Sequence, residues 1–272
     1  MRLLDLKAIL IVALIFIPLE RLFSLHSEQK VLRQHWVNDL AYLMLNGILI
    51  KLGLALLIGG VMVGIRLVVP DSVGATVSSQ PIWLQAVEVI VIADLGFYLA
   101  HRAFHSVPFL WRFHAVHHSI EEMDWLAAHR VHPVDQILTK ATSLLPVFAL
   151  GFSGTALGIF AATYQWQALW IHSNTRLGLG PFKWILASPQ FHHWHHANER
   201  EAFDKNFSAQ LPFIDALCGT LFLPAQRMPA KYGTDDPVPS LYHQQLAYPL
   251  RRQQKPLTEA SHATEASGNE RS

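Results

Sequence analysis

The chain has 272 residues, of which 51% are hydrophobic and 15% are charged, and its net charge at pH 7 is +1. Soluble globular proteins carry about 25% charged residues, so this composition is unusual for a soluble protein. The small net charge and the lack of a Lys/Arg-rich stripe argue against a nucleic-acid-binding protein.

The apolar residues are grouped into four blocks of membrane-spanning length. Residues 8–19 are either the core of a signal peptide or a first membrane helix, and we favour the helix because no small-x-small cleavage site follows. The blocks at 37–69 and 82–100 predict two further helices. The last block, 134–171, is divided by a GFSG turn at 151–154 and predicts a helical hairpin.

The positions of Lys and Arg predict how these helices are oriented. The 70–81 loop contains neither residue, so we expect it outside the membrane. The segments 101–133 and 173–272 contain basic residues and are expected on the cytoplasmic side. The predicted membrane is the inner membrane in a bacterium or the endoplasmic reticulum in a eukaryote.

The expected fold is an all-α, multi-pass integral membrane protein of about four to five hydrophobic helices. A histidine-rich helical cap is expected on its cytoplasmic face. Residues 1–245 form the membrane-embedded domain in this interpretation. The polar tail, residues 246–272, is poor in aromatic residues and is predicted to be disordered.

Histidines are concentrated in one part of the chain, with 12 of the 16 lying between residues 101 and 196. Positions i, i+3 and i+4 share a face of an α-helix. HRAFH (101–105), HAVHH (114–118) and HHWHH (192–196) all have this spacing, with His193 pointing elsewhere. Pro108 is expected to end the helix that contains the first motif.

The eight histidines of these motifs are too many for one metal ion, since a structural zinc site takes four ligands. Because the chain has one cysteine, nitrogen and oxygen must supply the ligands. Imidazole suits zinc, iron, copper and nickel. Adding His132 and His172 gives ten ligands for two metals, and leaves His129 and His193 open. The predicted ligands are His101, His105, His114, His117, His118, His132, His172, His192, His195 and His196.

The order of these motifs, with HRVHP (129–133) and WIHSN (170–174) between them, resembles the fatty-acid hydroxylase/sterol desaturase superfamily. The likeness covers residues 85–225 and extends to DLGFYLAHR before the first motif and DKNFSAQLPFIDALCGTLF after the last. In the second stretch Ile214 stands where the superfamily usually has an aromatic residue, and Ser208 where it usually has glycine.

The resemblance implies a membrane-bound oxygenase with two iron ions per chain that hydroxylates or desaturates a lipid with O₂. A G-x-G-x-x-G dinucleotide motif is missing from the sequence, so electrons must come from a separate reductase or small carrier. A histidine that binds a metal through one ring nitrogen usually donates the N–H of its other ring nitrogen to an oxygen. We expect Asp94, Asn174 and Asp204 to be such partners, with Asp124, Asp135 and Asp215 as further acids to consider. Asp94 is notable because it interrupts an apolar helix.

A second interpretation is a histidine-rich membrane metal transporter, or a metal-binding protein without oxygenase activity. A transporter would need ligands near the middle of the bilayer, whereas these histidines lie at helix ends and in predicted cytoplasmic segments. A zinc hydrolase would need an H-E-x-x-H helix, which the sequence lacks. Nothing in the sequence identifies the lipid.

Overall fold

The computed structural model describes residues 6–225 and 227–251, and all regular secondary structure in these ranges is helical. The all-α prediction is therefore confirmed for the described residues. Their ten α-helices are α1 (Leu6–Leu22), α2 (Trp36–Val68), α3 (Asp71–Ser78), α4 (Ile82–Ser106), α5 (Pro108–His118), α6 (Pro133–Leu150), α7 (Gly154–His172), α8 (Pro189–His195), α9 (Pro212–Cys218) and α10 (Tyr242–Ala247).

Two of the described helices, α2 and α4, are long and apolar enough to cross a membrane. The 33 residues of α2 extend about 50 Å at a rise of about 1.5 Å per residue. That length exceeds the hydrocarbon core of a bilayer, which is about 30 Å thick. These two helices support the interpretation of the chain as a membrane protein. The number of membrane-spanning helices, four to five, stays a prediction.

The predicted hairpin corresponds to α6 and α7, which are joined at residues 151–153. Gly151 ends α6 in the left-handed conformation, with φ of 75°, which glycine adopts without a steric penalty. Ser153 starts α7 by accepting a hydrogen bond from the Ala156 backbone N–H. Local turn chemistry thus explains why the apolar block divides here.

Helix α4 packs closely against α6, and this contact brings the first histidine motif to the rest of the site. A Cβ atom at Gly96 would lie 2.6 Å from the backbone oxygen of Thr142, so only glycine fits at this crossing. The neighbouring apolar cluster joins α4, α6 and α7 through Val89, Val147 and Phe160. The three helices therefore form one packed unit.

Two parts of the predicted organisation differ from the structure. The 70–81 segment, predicted as a loop, contains α3, which packs by Gly74 against Gly151 at the hairpin turn. The tail predicted to be disordered from residue 246 begins inside α10, and Tyr248 is buried against Tyr42. An aromatic ring that fills a gap between helices gains more from burial than from solvation. Residues 252–272 lie outside the described residues.

Candidate metal centre

The first group of histidines, here called cluster A, forms where α4 and α5 meet. α4 ends at Ser106 and α5 begins at Pro108, as predicted, with Val107 between them. The two helices and α8 then direct five side chains to one point, with all five ligand nitrogens within 4.8 Å of one another. The members of cluster A are His101, His105, His114, His118 and His195.

A second group, here called cluster B, lies beside cluster A. α5, the end of α7 and α8 supply its four buried histidines, whose ligand nitrogens also lie within 4.8 Å of one another. The members of cluster B are His117, His172, His192 and His196. The structure therefore brings together nine of the ten predicted ligands and groups them in two clusters.

Each H-x-x-H-H triplet is divided between the two clusters, which the spacing alone does not show. His114 and His118 are four residues apart and point to cluster A, whereas His117 points to cluster B. On α8 the division is reversed, because His192 and His196 belong to cluster B and His195 to cluster A. Successive helical residues are about 100° apart, so adjacent histidines face different points.

The Nε2 atoms within each cluster converge. The Nε2 atoms of His101 and His114 are 2.9 Å apart, and those of His118 and His195 are 3.0 Å apart. In cluster B the Nε2 atoms of His172 and His192 are 2.9 Å apart. Two nitrogens bound at about 2.1 Å to one ion, at right angles, lie about 3 Å apart. These distances fit imidazoles that share a metal ion.

The opposite ring nitrogens are fixed by backbone carbonyl oxygens. Because a carbonyl can only accept, each Nδ1 must carry the hydrogen, which leaves Nε2 unprotonated for a metal. Four histidines have this arrangement, at Nδ1–oxygen distances of 2.7 to 3.0 Å: His101 with Phe207, His117 with Arg130, His172 with Ala168, and His195 with Lys205. The buried Nε2 of His105 has no hydrogen-bond partner, which also fits a nitrogen that binds a metal.

Two carboxylates contact cluster A. Asp135, at the start of α6, accepts from His114 Nδ1 at 2.7 Å and also from the Thr139 hydroxyl. Asp204, one of the predicted partners, lies 3.5 Å from His105 Nδ1 and is mostly exposed. The buried Asp135 therefore makes the closer contact, although it lies outside the histidine motifs.

Asp94 and Asn174 do not contact the clustered histidines. The Asp94 carboxylate accepts backbone N–H groups from residues 209–211, at distances of 2.8 to 3.2 Å. It thereby holds the segment that presents the Phe207 carbonyl to His101. Asn174 binds the backbone of His26 instead. Asp94 lies about 10 Å along α4 from His101, which is too far for a direct bond.

His132 is the predicted ligand that the structure places outside both clusters. Its Nδ1 accepts the Val134 backbone N–H at 3.1 Å, so the side chain caps α6, and its Nε2 lies 3.2 Å from the Leu246 oxygen. His193 is also outside the clusters, since its Nδ1 meets the Tyr232 hydroxyl at 2.9 Å and its Nε2 meets the Ser173 oxygen at 3.1 Å. His129 is outside them too, where it lines a cavity.

A buried network of ion pairs supports cluster B, and the motif analysis missed it. Asp39 of α2 binds the Arg130 and Arg33 guanidinium groups, and Arg33 also binds Asp124 at 2.8 Å. Arg130 supplies the carbonyl that accepts from His117. The sequence feature that indicates this network is Asp39, an acidic residue within an apolar block, because a buried charge needs a partner.

Burial keeps the histidines of α5 and α8 neutral. It lowers the pKa of His117 to about 4 and is reinforced by the nearby positive charge of Arg130. Neutral imidazole is the form that binds metals. Burial, followed by repulsion from neighbouring rings, holds the pKa well below 6.5 at His114, His118, His192, His195 and His196.

Both clusters border a cavity of about 330 Å³ that lies between α2, α6 and α7. Its wall contains His101 and His114 of cluster A, and His117, His172 and His192 of cluster B. A second cavity of about 340 Å³ lies between α4, α6 and α7, where apolar side chains such as Phe148, Leu157 and Phe160 surround it. The two cavities share part of their walls at Phe97, Lys140, Tyr164, Gln165 and Gln210.

Comparison with known proteins identifies related sequences over this region. A family model described as fatty acid hydroxylase matches residues 86–220, which include all nine clustered histidines. The ornithine lipid hydroxylase OlsE of Rhizobium tropici is 31% identical over 63% of this chain and 52% of that protein. Alkylglycerol monooxygenase of Homo sapiens is 33% identical over 53% of this chain and 32% of that protein. The chain thus spans about half or less of these relatives, and no solved structure matches it.

Proposed function

This chain belongs to the fatty acid hydroxylase family, and from that premise we propose that it is a membrane-bound di-iron monooxygenase that hydroxylates a lipid. The observation that carries the proposal is the pair of buried, all-imidazole clusters beside a shared cavity. Nine ligands exceed what a single ion binds, and their division into five and four fits two ions.

Iron is the metal that best fits the proposed reaction, although imidazole alone also suits zinc and copper. Bound there, two iron ions would use O₂, two electrons and two protons to convert a C–H bond to C–OH and release water. The protein contributes the neutral histidines, the carbonyls that orient them and a cavity that shelters the reacting carbon. No described carboxylate belongs to either cluster, so Asp135 acts through His114 rather than as a ligand.

The named relatives favour hydroxylation over desaturation as the outcome. Their names describe a hydroxylase of ornithine lipid and monooxygenases of alkylglycerols, both of which insert oxygen into a lipid. The apolar walls of the second cavity, formed by side chains such as Leu157 and Phe160, suit a hydrocarbon chain. We therefore propose a membrane lipid as the substrate and a separate protein as the electron donor.

We further propose that the catalytic face is cytoplasmic, with 101–133 and 173–251 on that side and α3 outside. The basic residues of the first two segments support this orientation. Ligands at the cytoplasmic end of α4, rather than near its middle, also suit an enzyme better than a transporter, which binds its cargo near the bilayer centre.

The proposal is tested by oxygen incorporation. Purified protein, reconstituted with ferrous iron and a chemical reductant, would be incubated with a membrane lipid extract under ¹⁸O₂. We expect a lipid product that carries one ¹⁸O atom and is lost in the His192→Ala variant. If no lipid gains ¹⁸O with iron-loaded protein, and the protein instead moves metal ions into vesicles, the transporter interpretation replaces this one.

A further inference from the structure

Lys140 is a basic residue in the wall of the cavity beside the histidine clusters. It lies on α6 and borders both this cavity and the second, more apolar one. Its ammonium group donates a hydrogen bond to the side-chain oxygen of Gln136 at 3.3 Å. A lysine between two cavities that would hold a lipid needs an explanation, because an ionisable residue within a membrane protein is costly to bury.

The side chain of Lys140 extends toward the N-terminal end of α6, where it reaches Gln136. Helical side chains tilt toward the N-terminus of their helix, and Gln136 lies one turn closer to the start of α6. Gln136 follows Asp135, whose carboxylate binds His114 of cluster A. The ammonium is therefore held beside the side chain of Gln136, the residue that follows Asp135.

A second observation places the ammonium close to the same cavity. His129 also borders this cavity and lies in the segment before α6. Burial lowers the pKa of His129 to about 4, and the positive charge of Lys140 contributes to this shift. The ammonium therefore lies near another residue of the cavity wall.

The Lys140 ammonium has no acidic partner among the described residues, where the ion pairs all involve other cations. The nearest carboxylate along α6, Asp135, is already bound by His114 and Thr139. An ammonium group has three donors, and Gln136 accepts from one of them. The cavity therefore presents a cation with unused hydrogen-bonding capacity.

We propose that Lys140 binds an anionic oxygen group of the lipid substrate, a carboxylate or a phosphate, while the hydrocarbon chain extends past Phe97 and Tyr164 into the second cavity. This assignment rests on the proposed lipid hydroxylase function and adds the chemical class of the substrate. The anionic group neutralises the half-buried ammonium, and the pairing fixes the position of the chain relative to the histidines.

Binding measurements test this proposal without turnover. The full chain, purified in detergent with its metal and without an electron donor, would be titrated with radiolabelled palmitate, hexadecyl phosphate and methyl palmitate. We expect Lys140→Met to weaken binding of at least one anion by about tenfold or more and to leave the methyl ester unchanged. Lys140→Arg should retain most of the anion affinity, because it keeps the charge.

Lys51→Met is the matched control, because Lys51 borders the same cavity from α2 but is exposed. It should leave anion affinity unchanged within about twofold. Preference for palmitate or for hexadecyl phosphate identifies the anionic group as carboxylate or phosphate. Equal binding of anions and ester by the original protein, or equal losses in the two Lys→Met variants, would overturn the proposal. Because no turnover is involved, the outcome of this binding experiment does not depend on the outcome of the ¹⁸O experiment.

Discussion

His117 and His118 are consecutive in the chain, yet their Nε2 atoms belong to different histidine clusters. The same division separates His195, the last residue of α8, from His196, which follows it. The clusters meet where the rings of His118 and His196 stack, with centroids 4.6 Å apart. Each helix thus contributes to both sites, and the doubled histidine at the end of each H-x-x-H-H motif is the feature that makes this possible.

The first prediction concerns the separate contributions of these neighbours. Alanine at His118 should remove metal from cluster A only, and alanine at His117 should remove it from cluster B only. We expect metal content, measured by mass spectrometry of the purified protein, to fall from about two ions to about one per chain in each variant, since four to five ligands serve each ion. His132→Ala is the control and should retain both ions. Loss of both ions in either single variant would mean that the clusters do not bind independently.

The second prediction concerns Asp135, which accepts from His114 Nδ1 at 2.7 Å. Asp135→Asn should weaken metal binding at cluster A by about 10- to 100-fold, because a lost carboxylate leaves the ligand less basic and less well oriented. Competition with a chelator measures this affinity. Asp204→Asn is the matched control, since Asp204 is exposed and lies 3.5 Å from His105. Equal effects of the two variants would contradict a special role for the buried acid.

Sequence reasoning predicted the histidine helices and the break at Pro108 because both depend on local spacing and backbone chemistry. It did not predict how each triplet is divided, because that depends on where α8 lies relative to α5. His132 was assigned to the site from its neighbourhood in sequence, whereas the structure uses its side chain as a helix cap. The Asp39 network was missed because its partners are about 90 residues apart in the chain.

The third prediction concerns His193, the member of HHWHH that points away from the clusters. His193→Ala should retain both metal ions but lower the melting temperature, because a fully buried ring and its hydrogen bonds to Ser173 and Tyr232 are lost. A typical intramolecular hydrogen bond contributes about 0.5–1.5 kcal/mol to stability. Thermal unfolding followed by circular dichroism measures the loss, with metal content checked in parallel. Tyr232→Phe, which removes the hydroxyl facing His193 Nδ1, should be milder. A loss of metal in His193→Ala but not in Tyr232→Phe would show that His193 is a ligand.

The fourth prediction tests the orientation of the chain. Cys218 is the natural cysteine and is exposed at the end of α9. It should react with a membrane-impermeant maleimide only when the cytoplasmic side is accessible. The outer side is probed by Ser78→Cys in a Cys218→Ser background, because Ser78 is exposed at the end of α3. Labelling of Cys218 from outside intact cells would reverse the proposed topology.

The last prediction concerns the pH at which the metals are lost. The ordinary histidine pKa of about 6.5, taken alone, predicts release as the pH falls from about 7 to about 5. Burial lowers the pKa of His117 to about 4, so protonation of the folded protein is delayed. A group whose pKa is lower in the folded state stabilises that state above its unfolded pKa, and this stabilisation is lost as the pH falls toward the folded value. The window for His117 therefore runs from about 6.5 down to about 4.

We accordingly expect both metals to remain bound at pH 6 and to be released together between about pH 5 and pH 4, because bound metal and burial both favour neutral imidazole. Joint release is expected because burial lowers the pKa of histidines in both clusters, so that both are protonated over the same acidic range. Metal analysis after desalting at each pH, with circular dichroism of the same samples, measures this. Release of one ion at pH 6, with helical structure intact, would show that burial does not keep the histidines of that cluster neutral.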